Sequence, residues 1–147
     1  MNVRDLIKKH EGYSSTVYKC PAGKNTIGWG HNIDANPLPK DIEGRLFANG
    51  VILPEDAERL LDQDILTATL SCKRLYLPFD KFSENRQAAL TDFLFNAGEG
   101  TAKQFKRANA AINSLAWDTA ANEMTDSEWY KQTGLRGKEI TSMIREG

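Results

Sequence analysis

The sequence feature that most constrains the fold is a long helical pattern in the middle of the chain. Between Pro54 and Leu75, apolar residues recur every three or four positions, which is the spacing of one face of an α-helix. These residues are Ala57, Leu60, Leu61, Ile65, Ala68, Cys72 and Leu75. A helix of this length measures about 33 Å at about 1.5 Å per residue, the width of a small domain. We therefore expect it to link two lobes of a single domain.

The first third of the chain predicts a short helix followed by a β-hairpin. Helical spacing begins after Asn2, a suitable N-cap, and stops at Gly12, so Glu11 falls in the last turn. Two β-prone runs, residues 16–19 and 26–29, lie on either side of a loop rich in turn-forming residues. This region therefore predicts a small N-terminal β-sheet.

Beyond the hairpin the patterns are helical throughout. They predict a short helix ending at Asn49-Gly50, another that Ser83 caps and Gly98 ends, several short helices, and a last one at about 136–145. The fold class is therefore α+β and predominantly helical. We expect one domain over residues 1–147, with an N-terminal lobe at about 12–54, a linking helix at about 54–75, and a C-terminal lobe at about 76–147 that includes the helix at 1–11.

Composition excludes several functional classes. With 19 basic and 20 acidic residues, the net charge of -1 gives no overall attraction to nucleic acid or to anionic membranes. Two cysteines, Cys20 and Cys72, are too few for a disulfide framework, and with His10 and His31 they make a poor zinc set. We therefore expect no metal and no cofactor. The first twelve residues lack the apolar core of a signal peptide, so we expect cytosolic synthesis without membrane insertion.

Three side chains near the hairpin suggest acid-base chemistry. Glu11 at a helix end, Cys20 at the hairpin loop and Thr26 on the second arm can converge on one small volume. A carboxyl at a helix C-terminus faces the negative end of the helix dipole, which favours its protonated form. A general acid needs that form near neutral pH.

The same segment carries a family resemblance. Residues 10–31, HEGYSSTVYKCPAGKNTIGWGH, resemble the catalytic segment of the tailed-phage lysozyme (endolysin muramidase) family, in the variant with Cys at the middle catalytic position. That pattern is Glu, eight residues, Asp or Cys, five residues, Thr, then Ile-Gly-x-Gly-His. Three further blocks agree in order and spacing: EDAERLLDQD, RQAALTDFLFNAGE and WYKQTGLRGKEITSMIREG. The resemblance covers essentially the whole chain.

The resemblance implies a lysozyme-like two-lobe fold and hydrolysis of the β-1,4 bond between N-acetylmuramic acid and N-acetylglucosamine in peptidoglycan. Glu11 would protonate the leaving glycosidic oxygen, while Thr26 and Cys20 would hold the water that attacks the opposite face. It also implies a monomeric, bacteriolytic and antimicrobial enzyme made in the host bacterial cytoplasm. Such an enzyme reaches the periplasm and cell wall after a holin permeabilises the inner membrane, and causes cytolysis.

Cys20 stands where the best-known members carry Asp. A thiol with its ordinary pKa of about 8.5 is mostly neutral at pH 7 and stabilises a developing cation less well than a carboxylate. We hypothesise that Cys20 acts as a thiolate or as a polar positioner of water. The alternative is that it only packs the hairpin.

Further residues are assigned through the resemblance. Asp64 interrupts an apolar helical stripe, where an unpaired charge is costly, and His31 is its expected partner in a structural ion pair. Arg136 matches a family arginine that approaches the catalytic glutamate. The expected substrate-binding residues are Gly30, Asn32, Phe95, Asn96, Gln132 and Thr133. Trp117 and Trp129 are expected in the core, and the role of Trp29 stays open.

Other functions use the same residue types. A thiol peptidase or amidase would use Cys20 as nucleophile and His31 as base, with Asp64 to orient the base. Cys20 precedes Pro21 in a turn, however, whereas catalytic cysteines usually begin a helix. A catalytically inactive peptidoglycan-binding protein and a lytic transglycosylase are the remaining alternatives.

Overall fold

The computed structural model describes residues 2–147; residue 1, which the predicted first helix and domain include, lies outside the described residues. The chain divides into two compact units. We call Ile7–Asp64 the hairpin unit, and Ile65–Gly147 with the described chain up to Leu6 the helical unit. The boundaries between these units fall inside the first helix and inside the long helix, and each unit is described by itself.

Helix α1 (Val3–Glu11) begins and ends where the sequence predicts. Asn2 caps it through a reciprocal pair of hydrogen bonds. The Asp5 backbone N–H donates to the Asn2 side chain at 2.9 Å, and the Asn2 amide donates to the Asp5 carboxylate at 3.0 Å. At the other end the Gly12 N–H donates the last helical hydrogen bond, to the Lys8 carbonyl. Glu11 is therefore the last residue of the helix.

Three antiparallel strands, β1 (Ser14–Lys19), β2 (Asn25–Gly28) and β3 (His31–Asn32), form a sheet in the order β1-β2-β3. The predicted hairpin between β1 and β2 is therefore confirmed. Its loop is closed by Cys20 N–H donating to the Lys24 carbonyl at 2.9 Å. The sequence did not predict β3, because two residues are too short to show an alternating pattern.

Helices α2 (Lys40–Asn49) and α3 (Pro54–Leu75) follow the sheet, with the bounds that the apolar spacing predicts for α3. The core of the hairpin unit consists of Ile27, Ile42, Ile52, Ala57 and Leu60. Arg45 joins α2 to α3 by two hydrogen bonds to the buried Asp56 carboxylate, at 2.7 and 2.9 Å. This pairing compensates the desolvation of Asp56.

The helical unit consists of short helices packed around α4. They are a 3₁₀ turn (Phe79–Lys81), α4 (Glu84–Ala97), α5 (Glu99–Ala102), α6 (Lys106–Asn113), α7 (Trp117–Thr125), α8 (Glu128–Thr133) and α9 (Leu135–Glu146). Trp129 is buried in this core and Trp117 packs against it, as predicted. The predicted α+β class with a small N-terminal sheet is confirmed. Within residues 2–147, no helix combines the length and apolar character needed to cross a membrane.

Candidate active site

Glu11 packs directly against Gly30, and this contact fixes where its carboxyl group lies. Gly30 has a φ of +75°, and a Cβ atom at this position would come within 2.6 Å of Glu11 Cδ and 2.9 Å of Glu11 Cγ. The left-handed backbone therefore favours glycine, and a larger residue would displace the Glu11 side chain. The sequence predicted Gly30 as a substrate-binding residue; its place in the structure is against the predicted acid.

Cys20 begins the hairpin loop with its thiol half-exposed. The backbone N–H of Lys24 is the main cause that lowers the pKa of this thiol below its ordinary value. Partial burial opposes the shift, and the Ala22 N–H and the Thr26 hydroxyl reinforce it. Because these donors stabilise the charged form, the loop favours the thiolate.

Thr26 lies buried on β2 beside this thiol. Its hydroxyl donates to the Lys24 carbonyl at 2.9 Å, and the same group lies within hydrogen-bonding reach of the Cys20 sulfur. The predicted neighbours Cys20 and Thr26 are thus brought together by the two ends of one hairpin loop.

Tyr18 lies next to the predicted catalytic residues, and the sequence analysis did not single it out. It lies opposite Thr26 across β1 and β2, and Thr26 lies opposite Asn32 across β2 and β3. Burial, then the charges of Glu11 and Cys20, raise the pKa of the Tyr18 hydroxyl. This electrostatic influence puts Glu11, Tyr18 and Cys20 in one neighbourhood. The signal available in the sequence was the two-residue spacing from Tyr18 to Cys20, since alternate strand residues share a face.

Asn32, predicted at the substrate-binding rim, is half-buried on β3. Its side-chain oxygen accepts a hydrogen bond from Ala35 N–H at 3.0 Å, and its carbonyl accepts from Asn36 N–H. These bonds shape the turn after the sheet. Because Asn32 pairs with Thr26 across β2 and β3, it lies beside the predicted catalytic hydroxyl, and its contact with substrate remains a prediction.

The predicted ion pair of His31 and Asp64 is present. His31 is buried, with Nδ1 at 2.7 Å from the Asp64 carboxylate and Nε2 at 2.8 Å from the Asn36 carbonyl. Burial lowers the pKa of His31, but the hydrogen bonds and charge of Asp64, with the Asn36 carbonyl, outweigh it and raise the pKa above 6.5. Because both partners accept hydrogen bonds, the geometry suits the imidazolium, which has two N–H donors.

The same geometry argues against the thiol peptidase alternative. A catalytic base needs a ring nitrogen with a free lone pair to accept the nucleophile's proton. Both His31 nitrogens face acceptors, so neither can take a proton from Cys20 without breaking a hydrogen bond to Asp64 or Asn36.

We expect the His31 pair to give the fold a pH-dependent stability. Since the folded pKa is raised, the stabilisation is complete below pH 6.5 and is lost as pH rises through the raised value. A tenfold change in the proton affinity of His31 on folding corresponds to about 1.4 kcal/mol. Urea unfolding of the wild type and of His31→Asn, from acidic to alkaline pH, should give a stability difference that narrows as pH rises. An NMR titration with a His31 pKa at or below 6.5 would contradict the pairing.

Trp29, whose role the sequence left open, is a packing residue of the hairpin unit. Its ring lies 4.9 Å from the Tyr13 ring and 4.9 Å from the Lys8 ammonium group. Lys8 also pairs with Glu58 at 2.6 Å. The Trp29 indole is therefore held by an aromatic contact and a cation–π contact within the hairpin unit.

Arg136 lies buried in the helical unit, at the start of α9, where it pairs with Asp92 at 2.5 Å. The sequence analysis missed Asp92, which is fully buried on α4. The available signal was an acidic residue inside an apolar run, which calls for a partner in the core. The predicted approach of Arg136 to Glu11 stays a prediction.

The other predicted substrate-binding residues of the helical unit lie on α4 and α8. Asn96 accepts a hydrogen bond from Trp129 Nε1 at 2.8 Å, and Thr133 donates to the Trp129 carbonyl at 2.8 Å. Phe95 is half-buried against the core, and Gln132 is exposed. Asn96 and Thr133 therefore have structural partners, and contact of all four with substrate remains a prediction. Within residues 2–147, no cluster of three or more His, Cys, Asp or Glu side chains is arranged to hold a metal ion.

Comparison with known proteins finds relatives that are 27–32% identical. "Probable T4-type lysozyme 2" of Dictyostelium discoideum is 29% identical, over 99% of this chain and 95% of its own length. "Pre-baseplate central spike protein Gp5" of Enterobacteria phage T4 is 27% identical, over all of this chain and 28% of its own. An "Endolysin" of Acyrthosiphon pisum secondary endosymbiont phage 1 is 32% identical, over 63% of this chain and 55% of its own.

The family model described as "Phage lysozyme" matches residues 8–146, a range that includes every predicted catalytic residue. With the Glu11, Cys20 and Thr26 arrangement and the α+β fold already described, this match assigns the family: the chain belongs to the phage lysozymes.

Proposed function

We propose that this protein is an endolysin that hydrolyses the β-1,4 bond between N-acetylmuramic acid and N-acetylglucosamine in bacterial peptidoglycan, and so lyses the host cell. The observation that carries the proposal is that the Cys20 thiol lies beside the Thr26 hydroxyl, while the Glu11 carboxyl group lies against Gly30 in the same unit. Family membership supports a glycoside hydrolase activity of the lysozyme type. The bond, the substrate and the residue roles are parts of the proposal.

In the proposed mechanism, Glu11 donates its proton to the glycosidic oxygen as the bond to the anomeric carbon breaks. The contact with Gly30 supports this role, because a carboxyl group held against the backbone loses little orientational freedom when substrate binds. Positive charge develops on the sugar ring as the leaving group departs, and a water molecule attacks the opposite face.

Cys20 and Thr26 are proposed to hold that water and to stabilise the positive charge. A thiolate is an anion, as the more usual aspartate is, and the lowered pKa of Cys20 favours the thiolate. The Thr26 hydroxyl can donate and accept, so it can orient a water beside the sulfur. Cys20 is therefore proposed as the functional counterpart of that aspartate.

Alkylation is expected to distinguish a catalytic Cys20 from a packing residue. Iodoacetamide near neutral pH should label Cys20 and leave Cys72 unlabelled, since Cys72 is fully buried and its pKa is raised to about 12. Activity should fall in proportion to labelling, because the added group fills the space proposed for the water. Peptide mass spectrometry locates the label, and the unlabelled Cys20→Asp variant, which should stay active, serves as the control. Full labelling of Cys20 with unchanged activity would dismiss its catalytic role.

We propose that the enzyme accumulates in the cytoplasm of the host bacterium and acts as a monomer in the periplasm and cell wall, after a holin has permeabilised the inner membrane. Gly30 and Asn32, with Phe95, Asn96, Gln132 and Thr133, are proposed to contact the polysaccharide. Arg136 is proposed to act on the charge of Glu11.

Mass spectrometry of digested peptidoglycan tests the proposed function. A muramidase releases fragments that end in reducing N-acetylmuramic acid. A lytic transglycosylase leaves a 1,6-anhydro ring at that position, and a peptidase or amidase releases free amines. Binding to purified peptidoglycan without any new ends would instead indicate an inactive binding protein. Only the first result supports the proposal.

A further inference from the structure

Tyr18 belongs to a row of side chains that crosses one face of the sheet. The register pairs Tyr18 with Thr26, and Thr26 with Asn32. Directly opposed residues of antiparallel strands project from the same face. Tyr18 therefore shares a face with Thr26, the proposed catalytic hydroxyl.

Cys20 lies next to this row, and Glu11 acts on it electrostatically. Cys20 follows Tyr18 by two residues, and its thiol lies within reach of the Thr26 hydroxyl. The charges of Glu11 and Cys20 both act on the Tyr18 phenol and, together with its partial burial, raise its pKa. A phenol is protonated at neutral pH in any case, so the Tyr18 hydroxyl is available there as a hydrogen-bond donor.

The Tyr18 side chain is also accessible, since 36% of its surface is exposed. A phenol combines an apolar ring with a polar tip, which suits contact with a sugar that presents C–H groups and oxygen acceptors. We propose that Tyr18 is a further substrate-contacting residue, whose hydroxyl donates a hydrogen bond to the sugar that undergoes cleavage. This inference rests on the proposed muramidase function and adds a residue to it.

Tyr18→Phe tests the proposal because it removes the hydroxyl and keeps the ring. One neutral hydrogen bond to substrate corresponds to a change of about three- to tenfold. With soluble peptidoglycan fragments as substrate, KM should rise by about that factor while kcat stays within about twofold, as expected when a ground-state contact is lost. A merely structural role would instead lower the melting temperature and the active fraction, and so kcat. Tyr13→Phe, in which the changed tyrosine packs on Trp29 in the same unit, should leave both constants unchanged.

A binding measurement separates this inference from the proposed function. Glu11→Gln and the double variant Glu11→Gln/Tyr18→Phe are titrated with the same fragments and followed by NMR. Weaker binding by about three- to tenfold in the double variant supports the Tyr18 contact, whether or not the wild type cleaves glycan. Equal binding by the two proteins overturns it. Absence of new reducing ends with the wild type overturns the muramidase function instead.

Discussion

Glu11→Gln is expected to lower the rate of peptidoglycan hydrolysis by about 100- to 10,000-fold, the usual contribution of a general acid. The amide has nearly the same shape as the carboxyl group, so it still fits against Gly30, but it cannot supply the proton for the leaving oxygen. The release of reducing ends from purified cell walls measures the loss. Thermal unfolding should be nearly unchanged.

Glu43→Gln is a matched control for this substitution. Glu43 lies on α2 of the same unit and is exposed, and the change removes the same charge. It should keep wild-type activity. If Glu11→Gln still released reducing ends at a tenth of the wild-type rate or more, another group would have to supply the proton, and the central role given to Glu11 would be wrong.

Asp92→Ala is expected to cost about 3–5 kcal/mol of the free energy of unfolding, the range found when one partner of a buried ion pair is removed. Asp92 is fully buried and pairs with the buried Arg136 at 2.5 Å, so the substitution removes from the core an anion that compensates the desolvation of the Arg136 guanidinium. Urea unfolding at neutral pH measures the effect.

Asp118→Ala provides the comparison for an exposed pair. The Asp118 side chain is 81% exposed and lies 3.5 Å from the Arg145 guanidinium, so its loss should cost less than about 1 kcal/mol. A similar small cost for Asp92→Ala would show that Arg136 is compensated by other groups, and would contradict the importance given to the pair.

The helices and the hairpin could be predicted because local rules decide them. Apolar spacing determined the bounds of the long helix, and single capping residues such as Asn2 and Ser83 marked where others begin. β3 has only two residues and owes its existence to pairing with β2, which no local pattern records. The residues that pair in β2 and β3 are only four to six positions apart (31 − 27 = 4, 32 − 26 = 6), so the shortness of the strand, and not the range of the contact, explains why the sequence did not predict it.

The residues of the candidate site also fall into two groups: those that could be predicted from the sequence and those that only the structure reveals. Glu11, Cys20 and Thr26 could be predicted as catalytic candidates because their spacing along the chain carries both the chemistry and the family resemblance. Tyr18 enters the site through the β1–β2 register, and Gly30 owes its function to a side chain nineteen positions earlier (30 − 11 = 19). Asp92 has a partner forty-four positions away (136 − 92 = 44). Contacts of this kind depend on three-dimensional packing, so the sequence can indicate that a residue such as Asp92 needs a partner but does not identify the partner.

The Thr26 hydroxyl carries a single proton but faces two acceptors, the Lys24 carbonyl and the Cys20 sulfur. When the sulfur is uncharged, the Thr26 hydroxyl donates its hydrogen bond to the Lys24 carbonyl and helps to hold the turn. When the sulfur becomes negative, the stronger attraction rotates the proton toward it, and the carbonyl keeps only its bond from Cys20 N–H. Ionisation of Cys20 and the hydrogen bond from Thr26 to the Lys24 carbonyl therefore compete for one hydrogen atom, while the N–H groups of Lys24 and Ala22 hold the charged sulfur to the loop.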